Sequence, residues 1–298
     1  MPPDSPAWTI LEVLKWTAAF FDERHVEGAQ LSAELLLAHT LGIKRLDLYL
    51  RYDQPLSPDE LSAYRALIKR RARGEPVAYI LGEKAFWTMT LTVAPDVLIP
   101  RPDTECLVET ALAVLPDQSS DASPFRVLEM GTGSGAVIIA LAGEASHCRF
   151  FALDRSTRAV AVAAGNARKQ GLSGNIDFVV SDWFAALLPD AGGYDLIVVN
   201  PPYIPSAEIS NLAIEIRDFE PRTALDGGQD GLRDIRHIIS TAPRYLKPGG
   251  RLMIEIGWDQ KAAVTRLAEA AGAYGPLSFA RDLAGHDRVA RLQVKYPG

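Results

Sequence analysis

"RVLEMGTGSGAVIIALAGEA", residues 126 to 145, packs three changes of character into twenty residues. A short apolar run comes first, then Gly131, Gly133 and Gly135 at alternate positions, then apolar residues at helical spacing. Such a stretch reads as a strand, a tight turn and a helix, with the glycines permitting backbone conformations and close approaches that a Cβ would forbid. The same alternation continues: "RFFALD" is followed by "STRAVAVAAGNARKQG", then "IDFVVSD", "YDLIVVN" and "GGRLMIEIG". Apolar strands separated by helical segments predict parallel pairing through right-handed crossovers, with helices on both faces. The last two strands, "PLSFARD" and "RVARLQVKY", have only "LAGHD" between them, so they are expected to pair antiparallel. The fold class is therefore α/β, a Rossmann-like, mostly parallel sheet of seven strands.

Upstream, residues 7 to 73 read as helices. "LEVLKWTAAFFDE" and "AQLSAELLLAHTLG" space their apolar residues by three and four, and "SPDELSAYRALIKRRARG" starts on a capping signal. The basic run from Lys69 to Arg73 stands just before Gly74, where cations complement a helix C-terminus; a contact with RNA or protein is the competing reading. "FWTMTLTVAPDVLIPRPDTE" alternates and is broken by prolines, which predicts a short hairpin. The expected organisation is a helical domain at 1–74, a linker with a β-hairpin at 75–100, and a catalytic domain at 101–298. Residues 204 to 230 lack clear periodicity, and long loops of that kind commonly serve function.

The 298 residues are 48% hydrophobic and 23% charged, ordinary for a globular chain able to bury a large core. A net charge of −6 argues against a protein whose main task is gripping nucleic-acid backbone. Cys106 and Cys148 make no disulfide framework, and the five histidines show no metal-ligand spacing, so no metal is expected. The opening "MPPDSPAWTI" has no basic, then apolar, leader pattern and no apolar run reaches membrane-spanning length, so a cytoplasmic location away from membranes is expected.

In an open parallel sheet the ligand crevice lies beyond the carboxyl ends of the strands. Four polar groups stand there. Gly131-Thr132-Gly133-Ser134-Gly135 follows the first strand and, with Ala136, also satisfies the dinucleotide pattern G-x-G-x-x-A. Asp154 ends the second strand, placed to bind ribose hydroxyls or to cap the next helix, a task open to Ser156 as well. Asp182 and Trp183 follow the third, an acid and an aromatic face suited to adenine; a core role for the Trp is the alternative. Asn200-Pro201-Pro202-Tyr203 ends the fourth. The prolines lack N–H groups and restrict the residue before each of them, so the motif displays acceptors. A planar NH₂ is a poor nucleophile because its lone pair is delocalised. The Asn200 side-chain carbonyl and the Pro201 backbone carbonyl could each accept one N–H, aligning the nitrogen with an electrophile, while Tyr203 stacks on the planar group.

This constellation resembles the class I S-adenosylmethionine-dependent methyltransferases that act on amide or exocyclic amino nitrogens. "RRARGEPVAYILGEKAFW", "VLIPRPDTECLVE", "GTGSGAVIIAL", "SDWFAAL", "VVNPPYIP", "FEPRTALDGGQDGL" and "RDLAGHDRV" together resemble the bacterial peptide chain release factor glutamine methyltransferases, the HemK or PrmC family. The resemblance implies S-adenosylmethionine as methyl donor, class-one release factors as partners, and the glutamine of their Gly-Gly-Gln motif as acceptor, without direct DNA binding. It implies cofactor contacts at Gly131, Thr132, Gly133, Ser134, Gly135, Asp154, Asp182, Trp183 and Asn200. Asn200, Pro201, Pro202 and Tyr203 would form the substrate pocket, with Asn200, Pro201 and Tyr203 catalytic. A glutamine methyltransferase of a ribosomal protein, a nucleic-acid adenine methyltransferase and a nucleotide-binding module without catalysis are the competing functions. Gly227-Gly228-Gln229 spells the substrate tripeptide within this chain and reads as a Gly-rich turn.

Overall fold

The computed structural model describes residues 8–117, 124–189 and 193–296. The leader reading therefore falls partly on residues 1–7, outside the described residues. The chain divides into two compact units: residues up to Gly82 together with Ala213–Phe219, and Glu83–Leu212 together with Glu220 onward.

The N-terminal unit holds α1 (Ile10–Asp22), α2 (Ala29–Leu41), α3 (Arg45–Leu50), α4 (Pro58–Arg71) and α5 (Val77–Leu81). Capping boxes start α1 and α4: Ser57 Oγ accepts from the Glu60 N–H at 3.3 Å while Glu60 accepts from the Ser57 N–H at 2.7 Å. Ile10, Val13, Phe21, Leu36, Leu37, Tyr64 and Ile68 meet in its core, and the buried Tyr64 hydroxyl donates to the Ala33 carbonyl at 3.0 Å. The basic run turns inward in part. Arg70 pairs with Glu75, and Arg71, 4% exposed, donates to the carbonyls of Glu27 and Glu75 and pairs with Glu215. Glu215 lies in α9 (Ile214–Arg217), the short helix that this unit receives from the distant segment.

The C-terminal unit begins with the hairpin β1 (Glu83–Phe86) and β2 (Met89–Thr92), whose Phe86 and Leu91 are buried in that unit's core. After α6 (Glu105–Leu112) come β3 (Arg126–Met130), α7 (Ala136–Glu144), β4 (Arg149–Asp154), α8 (Thr157–Lys169), β5 (Ile176–Val180) and β6 (Tyr194–Val199). The stretch after α9 supplies α10 (Arg233–Thr241), β7 (Leu246–Glu255), α11 (Lys261–Ala271), β8 (Ser278–Arg281) and β9 (Asp287–Gln293). Among the described residues, β3 to β9 form one sheet in the order β5-β4-β3-β6-β7-β9-β8. Pairing is parallel except at β9, antiparallel to both β7 and β8. Both expectations, the mostly parallel seven-stranded sheet and its antiparallel end, hold. Strand alternation splits the core: Leu196 and Val198 pack on one face, Ile197 and Val199 on the other. Strand order reverses between β3 and β6, which opens a crevice at their carboxyl ends.

Candidate active site

Register brings the strand ends level. Met130 is paired with Leu153 and Val199, Asp154 with Val180, and Val199 with Ile254. The next residue on each strand, or the last, is Gly131, Asp154, Ser181, Asn200 and Glu255. A pocket opens above them, lined among others by Gly131–Ser134, Asp154, Asp182, Trp183, Asn200 and Pro202. The Gly-rich turn is clipped to this rim: the Thr132 N–H donates to the Leu153 carbonyl at 2.8 Å, and the Gly133 N–H to Asp154 Oδ2 at 2.9 Å. Gly131 has φ +71°, and a Cβ there would come within 3.7 Å of the Trp183 ring and 4.0 Å of the Asn200 carbonyl oxygen. Only a residue without a side chain leaves that space to a ligand. Gly135 serves packing instead, since its Cβ would meet Ile139 at 2.7 Å and Ala163 at 3.1 Å. The buried Asn166 of α8 supports the turn from behind, donating to the Ser134 and Thr92 carbonyls, both at 2.9 Å.

Asp154 is not the helix cap. Ser156 Oγ accepts from the Ala159 N–H at 3.2 Å and caps α8, while Asp154 Oδ1 accepts from the Ser156 N–H at 2.9 Å. Trp183 holds a positive φ of 48°, uncommon for a bulky residue, and its indole N–H donates to Asp234 Oδ1 at 3.2 Å. Its ring is thereby fixed over Gly131.

The prolyl motif is clamped by a second glycine loop. The Ile204 N–H donates to the Leu225 carbonyl at 3.0 Å, the Gly227 N–H to the Ile204 carbonyl at 2.9 Å, and Gln260 Nε2 to the Tyr203 carbonyl at 3.0 Å. A Cβ on Gly227 would lie 2.7 Å from the Pro202 carbonyl oxygen, and one on Gly231 2.4 Å from that of Tyr203. The internal Gly-Gly-Gln is thus a turn pressed against the motif. Asn200 Nδ2 donates to the Thr104 hydroxyl at 3.2 Å, which turns the Asn200 carbonyl oxygen the other way. Pro202 lines the pocket; Pro201 is buried, and Tyr203 is half-buried with its hydroxyl 3.3 Å from Glu255 Oε1.

Sequence reasoning passed over several acids. Glu129 is buried under the Gly-rich turn and lines the pocket; burial pushes its pKa up to about 8, against the pull of the Thr132 hydroxyl and the Ile138 N–H. Burial likewise lifts Glu255 to about 7, with the Thr104 hydroxyl and Arg288 opposing. Glu220 accepts from the Ile99 N–H at 3.1 Å and pairs with Arg101 of the pocket wall. Glu129 and Glu255 sit in apolar runs, "RVLEM" and "LMIEIG", and an acid in such a run was the available signal; Glu220, in the charged "DFEPR", had none. Among the described residues no group of His, Cys, Asp or Glu could hold a metal ion, and no helix is long and apolar enough to cross a membrane.

A Gly-rich turn, an acid and an aromatic ring at successive strand ends of this sheet define the class I methyltransferase fold. Residues 121–285 match the methyltransferase domain family and residues 12–82 the PrmC N-terminal domain family. The release factor glutamine methyltransferase of Geobacter sulfurreducens is 43% identical over 284 residues, covering 95% of each chain. That of Nitratidesulfovibrio vulgaris is 39% identical, covering 99% of each. A solved methyltransferase from Pyrococcus furiosus shares the fold with a TM-score of 0.52 at 18% identity, covering 77% of this chain and 99% of its own. The chain belongs to the release factor glutamine methyltransferase family.

Proposed function

We propose that this chain methylates the side-chain amide nitrogen of the glutamine in the Gly-Gly-Gln motif of class-one release factors, with S-adenosylmethionine as donor. One observation carries the reading: Asn200 stands level with the Gly-rich turn in one pocket, its Nδ2 committed to Thr104 and its carbonyl oxygen left to accept. The names of the family's members point the same way.

The pocket fits the cofactor. The space kept open at Gly131 lies between the Trp183 ring and the Asn200 carbonyl, and the lining sets Asp96, Asp154, Asp182 and Asp234 against Arg101, Arg155 and Arg233, a small acidic excess favourable to a sulfonium cation. Gly131, Thr132, Gly133 and Ser134 would carry its amino-acid part, with Gly135 packing the turn from behind, Asp154 would bind its ribose hydroxyls, and Asp182 with Trp183 its adenine. When bound it supplies an electrophilic methyl group. The chain's own residues prepare the nucleophile: the Asn200 side-chain oxygen and the Pro201 carbonyl each take one amide N–H, hold the nitrogen in line and stabilise its developing positive charge. Tyr203, held from behind by Glu255, supports the planar amide. Flanking glycines suit a recessed acceptor because they are slim and reach positive φ. The N-terminal unit would dock the release factor, in the cytoplasm and without contact to DNA or membrane.

Mass spectrometry after incubation with isotopically labelled cofactor tests the reading. One methyl group is expected on that glutamine of a class-one release factor, and none when it is replaced by glutamate or when the enzyme carries Asn200→Ala. Labelling confined to a ribosomal protein, or of adenine in nucleic acid, would replace it with a rival.

A further inference from the structure

Trp183 is held by two separate sets of hydrogen bonds, one on its backbone and one on its ring. The Ser181 hydroxyl donates to the Trp183 carbonyl at 2.9 Å and accepts from the Ala186 N–H at 3.0 Å, which ties down a turn whose φ of +48° is uncommon for a bulky residue. Those bonds leave the ring its rotamers. The ring is fixed from α10, 51 residues further on: Asp234, in the first turn of that helix, accepts the indole N–H on Oδ1 at 3.2 Å, and its Oδ2 accepts from Arg233 Nη2 at 2.9 Å. The same Nη2 donates to the Asp226 carbonyl at 2.7 Å, and the Arg233 N–H to the Gly227 carbonyl at 2.9 Å. The start of α10 is thus tied to the glycine loop and cannot drift. Asp234 and Trp183 both line the pocket, and the Trp183 ring is the nearest group that a Cβ on Gly131 would meet.

We infer that Asp234 is the positioning residue of the cofactor wall, holding the Trp183 indole so that its ring stays over the ligand space at Gly131. The inference rests on the cofactor reading given above. An indole nitrogen only donates, so one fixed acceptor at its edge selects one orientation of the ring. A planar base then stacks on a face that is already ordered, whereas a mobile ring would have to be ordered each time the ligand binds. A carboxylate in the lining could instead attract the cofactor's cationic group directly. The two roles make different demands: positioning needs an oxygen lone pair in one place, and direct attraction needs the charge. Asparagine at 234 separates them, since it keeps the oxygen and the shape and loses the charge. Its one oxygen goes to the half-buried indole, because the Arg233 side chain, 58% exposed, has water as its other partner.

The test compares the wild-type enzyme, Asp234→Ala and Asp234→Asn, each with and without Trp183→Phe, by calorimetry with S-adenosylmethionine, by Tm and by tryptophan fluorescence without cofactor. Asp234→Ala is expected to raise the cofactor Kd at least fivefold, and Asp234→Asn to keep it within twofold of wild type. Once Trp183→Phe is present, Asp234→Ala should add no more than a further twofold loss, because the hydrogen bond is broken only once. The Trp183 emission, read as the difference between each protein and its Trp183→Phe counterpart, should shift to longer wavelength and become open to acrylamide quenching in Asp234→Ala. In Asp234→Asn it should match wild type. If Asp234→Ala does not fold, Asp234→Leu, which fills the same space without an acceptor, takes its place. A wild-type Kd in the folded Asp234→Ala, an Asp234→Asn as weak as Asp234→Ala, additive losses with Trp183→Phe, or a Trp183 emission blind to Asp234→Ala would each overturn the inference. A wild-type enzyme that takes up no S-adenosylmethionine would bring down the cofactor reading and this inference with it; equal binding by wild type and Asp234→Ala would bring down the positioning role alone.

Discussion

Asp154 shows how one carboxylate serves both the turn and the ligand. Its two oxygens accept from the Gly133 and Ser156 N–H groups, both at 2.9 Å, which orients the side chain and leaves further lone pairs facing the pocket. Asp154→Ala is expected to weaken S-adenosylmethionine binding about 10- to 100-fold, the loss of one or two charge-assisted hydrogen bonds. Calorimetry checks this, and unchanged affinity would reduce Asp154 to a brace for the turn. Asp154 and Asn200 were readable because each ends a strand segment, where side chains meet ligand in this architecture. Glu129 and Glu255 were not. What decides their role is burial beside Thr132 and Thr104 and, for Glu255, the register of neighbouring strands, which a local pattern cannot show.

At the scale of elements, the chain from Leu225 to Gly231 acts as a backplate for the Asn-Pro-Pro-Tyr turn. Gly231 has φ +70°, and any Cβ there collides with the Tyr203 carbonyl, so Gly231→Ala combines backbone strain with displacement of the motif. We expect a loss of about 1–3 kcal/mol in denaturant melts. Turnover should fall at least ~10-fold through the displaced donor-acceptor geometry, with cofactor affinity nearly unchanged. A folded Gly231→Ala with full turnover would show the motif tolerates movement. The glycines were visible in the sequence; their partner, some 25 residues earlier, was not, because loops without periodicity give no register. The alternation of strands and helices, by contrast, was local and repeated, and it carried the sheet. The excursion of residues 213–219 into the N-terminal unit had no local signal.

For the whole molecule, the raised acids set a pH dependence. Burial lifts Glu129 to about 8 and Glu255 to about 7, so above the ordinary carboxylate value of 4.5 the native state holds protons that the unfolded chain has released. Stability of the cofactor-free protein should therefore fall as pH rises from about 5 toward 8, by up to about 1.4 kcal/mol per pH unit for each group while it stays protonated. Glu129→Gln should flatten that slope in denaturant melts between pH 5 and 8; an unchanged slope would mean Glu129 is ionised throughout. Asp226, Asp230 and Asp287, all held below their ordinary value chiefly by hydrogen bonds, act in the opposite sense and withdraw stability as pH drops below about 4.

The partnership of Arg71 with Glu215 spans 144 residues. On a ribosome adding about 5–20 residues per second, the N-terminal helices emerge some 7–30 s before the segment that completes them. Throughout that interval Arg71, mostly enclosed and with its Nε unanswered even in the finished fold, lacks its counter-charge. The helical unit that leaves the exit tunnel first is thus finished only after β1 to β6 have followed it, and a nascent chain stalled before residue 213 carries it incomplete.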